Sequence, residues 1–187
     1  MKYLSFIAFL FLFASCAQTA QEEEATPFDY TKLLNKKTVN DTVQTYLKDM
    51  GGNFKVITEW GITDMEYIDR PLVLRFDTTE DRNLKSIMFS YRFLEENQPF
   101  EIAELEMPYG LELGGDLASV HAAVGNPSYY SDASGKGKLV IYYPELKLSV
   151  KFHNPGRTIP SNKILQISIH DIDGDRLVEG GFAVPWN

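Results

Sequence analysis

Two apolar runs that alternate with period two and meet at a proline set the strongest limit on how this chain can fold. Leu139, Ile141 and Tyr143 alternate up to Pro144-Glu145, and Leu146, Leu148, Val150 and Phe152 alternate away from it. Successive side chains on a strand point to opposite faces, so such runs bury one face and wet the other. Proline presets φ at a turn, and Leu139–Phe152 therefore reads as a β-hairpin. The same alternation returns elsewhere. Leu72, Leu74 and Phe76 share one face of Pro71–Asp77; Ile87, Phe89, Tyr91 and Phe93 share one face of Leu84–Leu94; Leu165, Ile167 and Ile169 share one face of Lys163–His170. These runs predict a half-buried antiparallel sheet with an aromatic inner face. Phe54–Glu59, Met65–Ile68 and Phe100–Met107 read as further strands.

Helix signals stand before each group of strands. In Gly114–Pro127, Asp116 can cap a helix whose apolar stripe is Leu117, Val120 and Val124, and Gly125 with Pro127 ends it. Earlier, Thr38-Val39-Asn40-Asp41 has the form of a capping box with Asp in place of Glu, which predicts a helix starting at Thr38. Val39, Val43, Tyr46, Leu47 and Met50 fall on one face of it, and Gly51-Gly52 stops it. Setting Val43 on Val120 also sets Leu47 on Val124, and the closing strands Leu84–Tyr91 and Lys163–His170 match at nearly the same offset. The expectation is an α+β chain of two tandem helix-plus-antiparallel-sheet units, over residues 28–98 and 99–187.

The start of the chain concerns address, not fold. Lys2 gives a positive n-region, Leu4–Ala14 an apolar h-region, and Ala14-Ser15 the small residues before Cys16. Residues 1–15 thus read as a secretory signal, too short for a permanent transmembrane helix. Cys16 is the only cysteine of the 187 residues. With Phe13-Ala14-Ser15-Cys16 as its lipobox, the sequence resembles a bacterial lipoprotein, which implies acylation of Cys16. The alternative is a plain signal peptide cleaved nearby, with Cys16 incidental. Residues 16–27 are polar and acidic, the composition of a tether. Ala17 after the cysteine and the run Gln21-Glu22-Glu23-Glu24 resemble outer-membrane lipoproteins, some of them surface-exposed. With no further cysteine, the fold is held without disulfides. The net charge of −8 argues against nucleic acid and against electrostatic docking on anionic lipid.

Leu113-Gly114-Gly115, Val120, Val124-Gly125-Asn126-Pro127, the Tyr142-Tyr143 strand and the Leu148–Phe152 strand carry a second likeness. They resemble the small α+β modules of SmpA/OmlA-class envelope lipoproteins, whose topology is shared by the β-lactamase-inhibitor-protein (BLIP-like) family. That resemblance implies a protein that binds other envelope proteins, not an enzyme.

No catalytic constellation stands out. Asp171, Asp173 and Asp175 are the one arrangement resembling Ca²⁺ ligation, but an EF-hand loop needs Gly at its sixth position and Glu at its twelfth, where Arg176 and Phe182 sit. The alternative is a solvated turn built on Asp173-Gly174. His121, His153 and His170 do not form a ligand set. Gly-x-Ser-x-Gly is absent, and Ser131, Ser134 and Ser149 have no histidine at a suggestive spacing. Ser134–Lys138 lacks the phosphate-loop pattern. Tyr129–Lys138 reads as a loop in which Tyr129, Tyr130, Lys136 and Lys138 are candidate partner-binding residues. The sequence therefore predicts a non-enzymatic outer-membrane lipoprotein that binds or scaffolds envelope proteins, with no cofactor. Its alternatives are an envelope hydrolase with a carboxylate pair, or a protein inhibitor of an envelope or secreted enzyme.

Overall fold

The computed structural model describes residues 28–78, 82–90, 105–133, 138–153 and 163–186. In chain order, helix α1 (Asp41–Met50) precedes strands β1 (Phe54–Glu59), β2 (Ile62–Tyr67), β3 (Leu72–Asp77) and β4 (Leu84–Ser90). Helix α2 (Leu117–Val124) precedes β5 (Tyr129–Ala133), β6 (Lys138–Tyr143), β7 (Leu148–His153) and β8 (Ile164–His170). A short helix α3 (Gly174–Glu179) and strand β9 (Val184–Pro185) close the chain. Among the described residues nine strands join one antiparallel sheet in the order β1-β2-β3-β4-β8-β7-β6-β5-β9.

This single sheet corrects the expectation of two tandem helix-plus-sheet units. The two matched closing strands are each other's partners: Ile87 lies opposite Ile169 and Phe89 opposite Ile167. Left apart, β4 and β8 would be two exposed edges with apolar inner faces. Pairing them satisfies both rows of backbone groups and removes both edges. The core is correspondingly one cluster. It runs from Val43 of α1 and Leu74 of β3, through Phe89 and Ile169 at the seam, to Val150 of β7 and Val120 of α2, all of them 0% exposed. The expected boundary between residues 98 and 99 lies outside the described residues.

The helices form as their caps dictate. Asp116 and Ser119 complete a capping box around α2, with reciprocal backbone-to-side-chain bonds of 3.0 Å. At α1 the structure differs: Asn40, in extended backbone, accepts from the Thr42 amide at 3.1 Å, so the helix starts at Asp41. Asn is among the best N-cap residues. Val39 consequently falls before the helix and is 77% exposed, off the buried stripe. Residues 129–133 are a strand, not the start of a loop, because Tyr129 and Tyr130 pair with Tyr142 and Ile141. Pro144–Leu146 form a single 3₁₀ turn completed by Lys147 in left-handed backbone (φ 52°), so β7 begins at Leu148.

Candidate functional site

Both α1 and α2 pack on the inner face of the sheet, where Val43 and Val120 enter the core. The alternation that buries Ile87 and Phe89, Ile167 and Ile169, Leu148 and Val150 aims the intervening side chains outward. Register then lines those outward residues up across strands. One row runs Val73, Met88, Ser168, Ser149, Tyr142, Tyr129. The row on one side of it holds Arg75, Ser86 and His170, and the row on the other holds Ser90, Gln166, Lys151, Val140 and Ser131. Most of the middle of this face forms an open depression of about 660 Å³.

Hydrogen-bonding groups at its floor are held in place. Ser149 and Ser168 sit opposite each other and are 8% and 5% exposed. Gln166 Nε2 donates to Ser168 Oγ at 2.8 Å. Ser149 Oγ lies 2.8 Å from His170 Nε2, and His170 Nδ1 lies 3.2 Å from the Asp171 carbonyl oxygen. A carbonyl only accepts, so the neutral ring that satisfies both contacts carries its proton on Nδ1 and accepts from the serine hydroxyl. Burial pushes the His170 imidazole below its ordinary value, against the opposing pull of the Asp171 carbonyl and carboxylate.

Charges border the depression in pairs. Arg75 grips Asp64 through two bonds of 2.8 and 2.7 Å, and that contact raises the already high guanidinium pKa. Lys147 lies 2.8 Å from Asp171, whose other oxygen accepts from Asn35 at 2.5 Å. Those bonds, the Lys147 one first, hold the Asp171 carboxyl below the usual carboxylate range. Lys85 sits 3.3 Å from Asp77. Among the described residues that line the depression the one carboxylate is Asp171, already tied to a lysine and an amide.

The Ser149–His170 contact is half of a nucleophile arrangement. Ser149 is nearly buried within β7, which is hydrogen-bonded on both sides, to β6 and β8. Backbone amides spent in ladders are not free to stabilise an oxyanion. The contact fixes the position of both side chains. Sequence spacing missed it because Ser149 and His170 meet only through the pairing of β7 with β8. The signal available was weaker: serines and glutamine at the outward positions of two strongly apolar strands.

The sequence-derived candidates divide. Tyr129 ends the central row, and its ring rests on Gly174, where an added Cβ would come within 2.6 Å of a ring carbon. Tyr130 turns to the other face, packs against the core and lies edge-on to Trp186, with centroids 5.5 Å apart. Lys138 opens β6, and Lys136 lies outside the described residues, as does Cys16. Asp171 serves Lys147, while Asp173 caps α3 by accepting from the Arg176 amide at 3.1 Å. Asp175 lies in the first turn of α3, so the stretch expected to form a turn starts a helix. Among the described residues no group of three His, Cys, Asp or Glu side chains is placed to hold a metal ion. His121 stacks edge-on against Trp186 at 5.7 Å, away from His170. Comparison with protein-family models, curated proteins and solved structures finds no match for this chain.

Proposed function

We propose that this chain is a non-enzymatic, lipid-anchored envelope protein that binds a polar segment of a partner protein on the outer face of its sheet, opposite α1 and α2. The observation that carries the reading is the row Met88, Ser168, Ser149, Tyr142 along the floor of an open depression of about 660 Å³. Its polar groups are pre-set by Gln166 and His170, so little side-chain freedom is lost when a ligand is received. Met88 and Tyr142 add adaptable and rigid apolar contact beside them. The breadth and openness of the face suit a protein surface better than an enclosed small molecule. Attachment through an acylated Cys16 would hold this face near envelope partners, the stretch up to Pro27 reaching at most about 40 Å when extended.

Capture from solubilised envelope membranes tests the reading. Tyr142→Ala combined with Gln166→Ala should abolish recovery of the partner that the unaltered protein retains, while the variant remains folded at the temperature of the assay. Cys16→Ser should move the protein from the membrane to the soluble fraction. Undiminished capture by the double variant refutes the sheet face as the binding surface, and membrane retention of Cys16→Ser refutes the anchor.

A further inference from the structure

The two edges of the sheet are treated differently. At one end β9 covers β5, pairing Val184 and Pro185 with Tyr130 and Tyr129, and Pro185 has no N–H to offer outward. At the other end β1 is the terminal strand, six residues long and without proline. Among the described residues nothing pairs with its outer edge. A long exposed edge carrying apolar side chains invites another strand unless it is blunted. Here Phe54 is 45%, Val56 57% and Trp60 96% exposed.

Hydrogen-bond parity fixes which groups face outward. The Ile68 amide donates to the Asn53 carbonyl at 2.8 Å, so Asn53 is a hydrogen-bonded position toward β2. Such positions alternate along an antiparallel pair. Lys55, Ile57 and Glu59 therefore also bond inward to β2, whereas Phe54, Val56 and Thr58 present their backbone N–H and C=O to solvent.

From this we infer that β1 is the subunit seam of a homodimer, in which two copies join antiparallel, edge to edge, about a two-fold axis at Ile57. In that register Val56 of each copy faces Thr58 of the other, and all four residues are outward-bonding, which closes four backbone hydrogen bonds. Ile57 meets Ile57. Lys55 faces Glu59 of the other copy, and the symmetry makes this opposite-charge pair twice. Neighbouring registers that respect the backbone parity, with the axis at Val56 or at Thr58, place Lys55 opposite Ile57 or opposite Gly61 and lose the opposite-charge pair, so charge selects this one. It also brings the Trp60 turn of one copy, with backbone φ 53°, beside Phe54 of the other. Lys55 already lies 3.0 Å from Glu66 of its own chain, and would bridge the two carboxylates. The occupant is a second copy because the strand is complementary to itself. This seam is separate from the proposed binding face, and its failure would leave that reading intact.

The test uses full-length protein in mild detergent, with two differently tagged copies co-expressed. Unaltered copies should co-purify. Lys55→Glu in both copies sets acid against acid twice, and Glu59→Lys in both sets base against base; each should lower co-purification about tenfold or more. One copy with Lys55→Glu and the other with Glu59→Lys restores both opposite-charge pairs and should recover it. A second measurement does not depend on these variants folding: Ile57→Cys should form an intermolecular disulfide on mild oxidation, because the axis brings residue 57 against itself. Val39→Cys, at a more exposed site, should not. Failure of the mixed pair to recover association, or cross-linking at residue 39 equal to that at residue 57, overturns the proposal.

Discussion

Truncation at the β4–β8 seam distinguishes one cooperative sheet from two units sharing a chain. Ile87 and Ile169 face each other across that seam, and both are 0% exposed. Changing Ile87 to Ala removes three carbon groups, worth about 2.4 kcal/mol in transfer at roughly 0.8 kcal/mol each. The residual cavity adds to this, giving an expected loss of about 3 kcal/mol within the usual span of roughly 2–5. For a chain of this size that lowers the melting temperature by roughly 6–12 °C. Native-state hydrogen exchange supplies the sharper readout. Because both halves share one core, the slowest amides of β3 and of β7 should report the same opening free energy, and Ile87→Ala should lower both equally. Ile169→Ala should do the same, and the double variant should lose about 0.5–3 kcal/mol less than the two singles together, since the pair is in contact. Unchanged protection in β7 when Ile87 is truncated would refute the single cooperative sheet.

Two further outcomes follow from local chemistry. The folded His170 imidazole titrates below its ordinary value of 6.5, so on acidification the unfolded chain takes up that proton first. Stability should be whole above about pH 6.5 and decline as the pH falls until the folded pKa is passed; the stabilisation from Asp171, whose carboxyl is held below 3.8, is whole above that value and is lost only at still lower pH. Denaturant unfolding between pH 7.5 and 5 should show this slope, and His170→Gln should flatten it. Asp116→Ala removes half of the capping box of α2 and should cost about 1 kcal/mol, or roughly 2–4 °C in a thermal melt.

What the sequence made legible was whatever is decided locally. Alternation placed β3, β4, β7 and β8, and the Asp116 cap and Val120 stripe placed α2. At the bulge of β7 against β8, however, Ile164 joins the core cluster in place of the expected Leu165, and Tyr91 and Phe93 lie outside the described residues. Local competition decided the errors. Asn40 outcompeted Thr38 as a cap, and Tyr129 and Tyr130 entered a strand because partners stood ready in β6. Periodicity records which face a residue occupies but not which strand lies beside it. Two strands that looked like equivalent ends of separate units were therefore partners in one sheet, and the outward serines of β7 and β8 became a site only once that pairing was known. Tyr129 was expected in a loop but is half-buried in a strand, and Gly174, which receives its ring, lies 45 residues further along the chain and gave no local sign of it.

Hydroxyl-radical footprinting of the protein with and without its captured partner tests the central claim most directly. It reports solvent access of individual side chains, and the depression on the outer face carries reactive probes in Met88, Tyr142 and His170. The sheet-face account predicts that the partner suppresses oxidation of these three several-fold. Phe182, 68% exposed and outside the depression, should react as before. Undiminished oxidation of Met88 and Tyr142 in the complex would contradict the account.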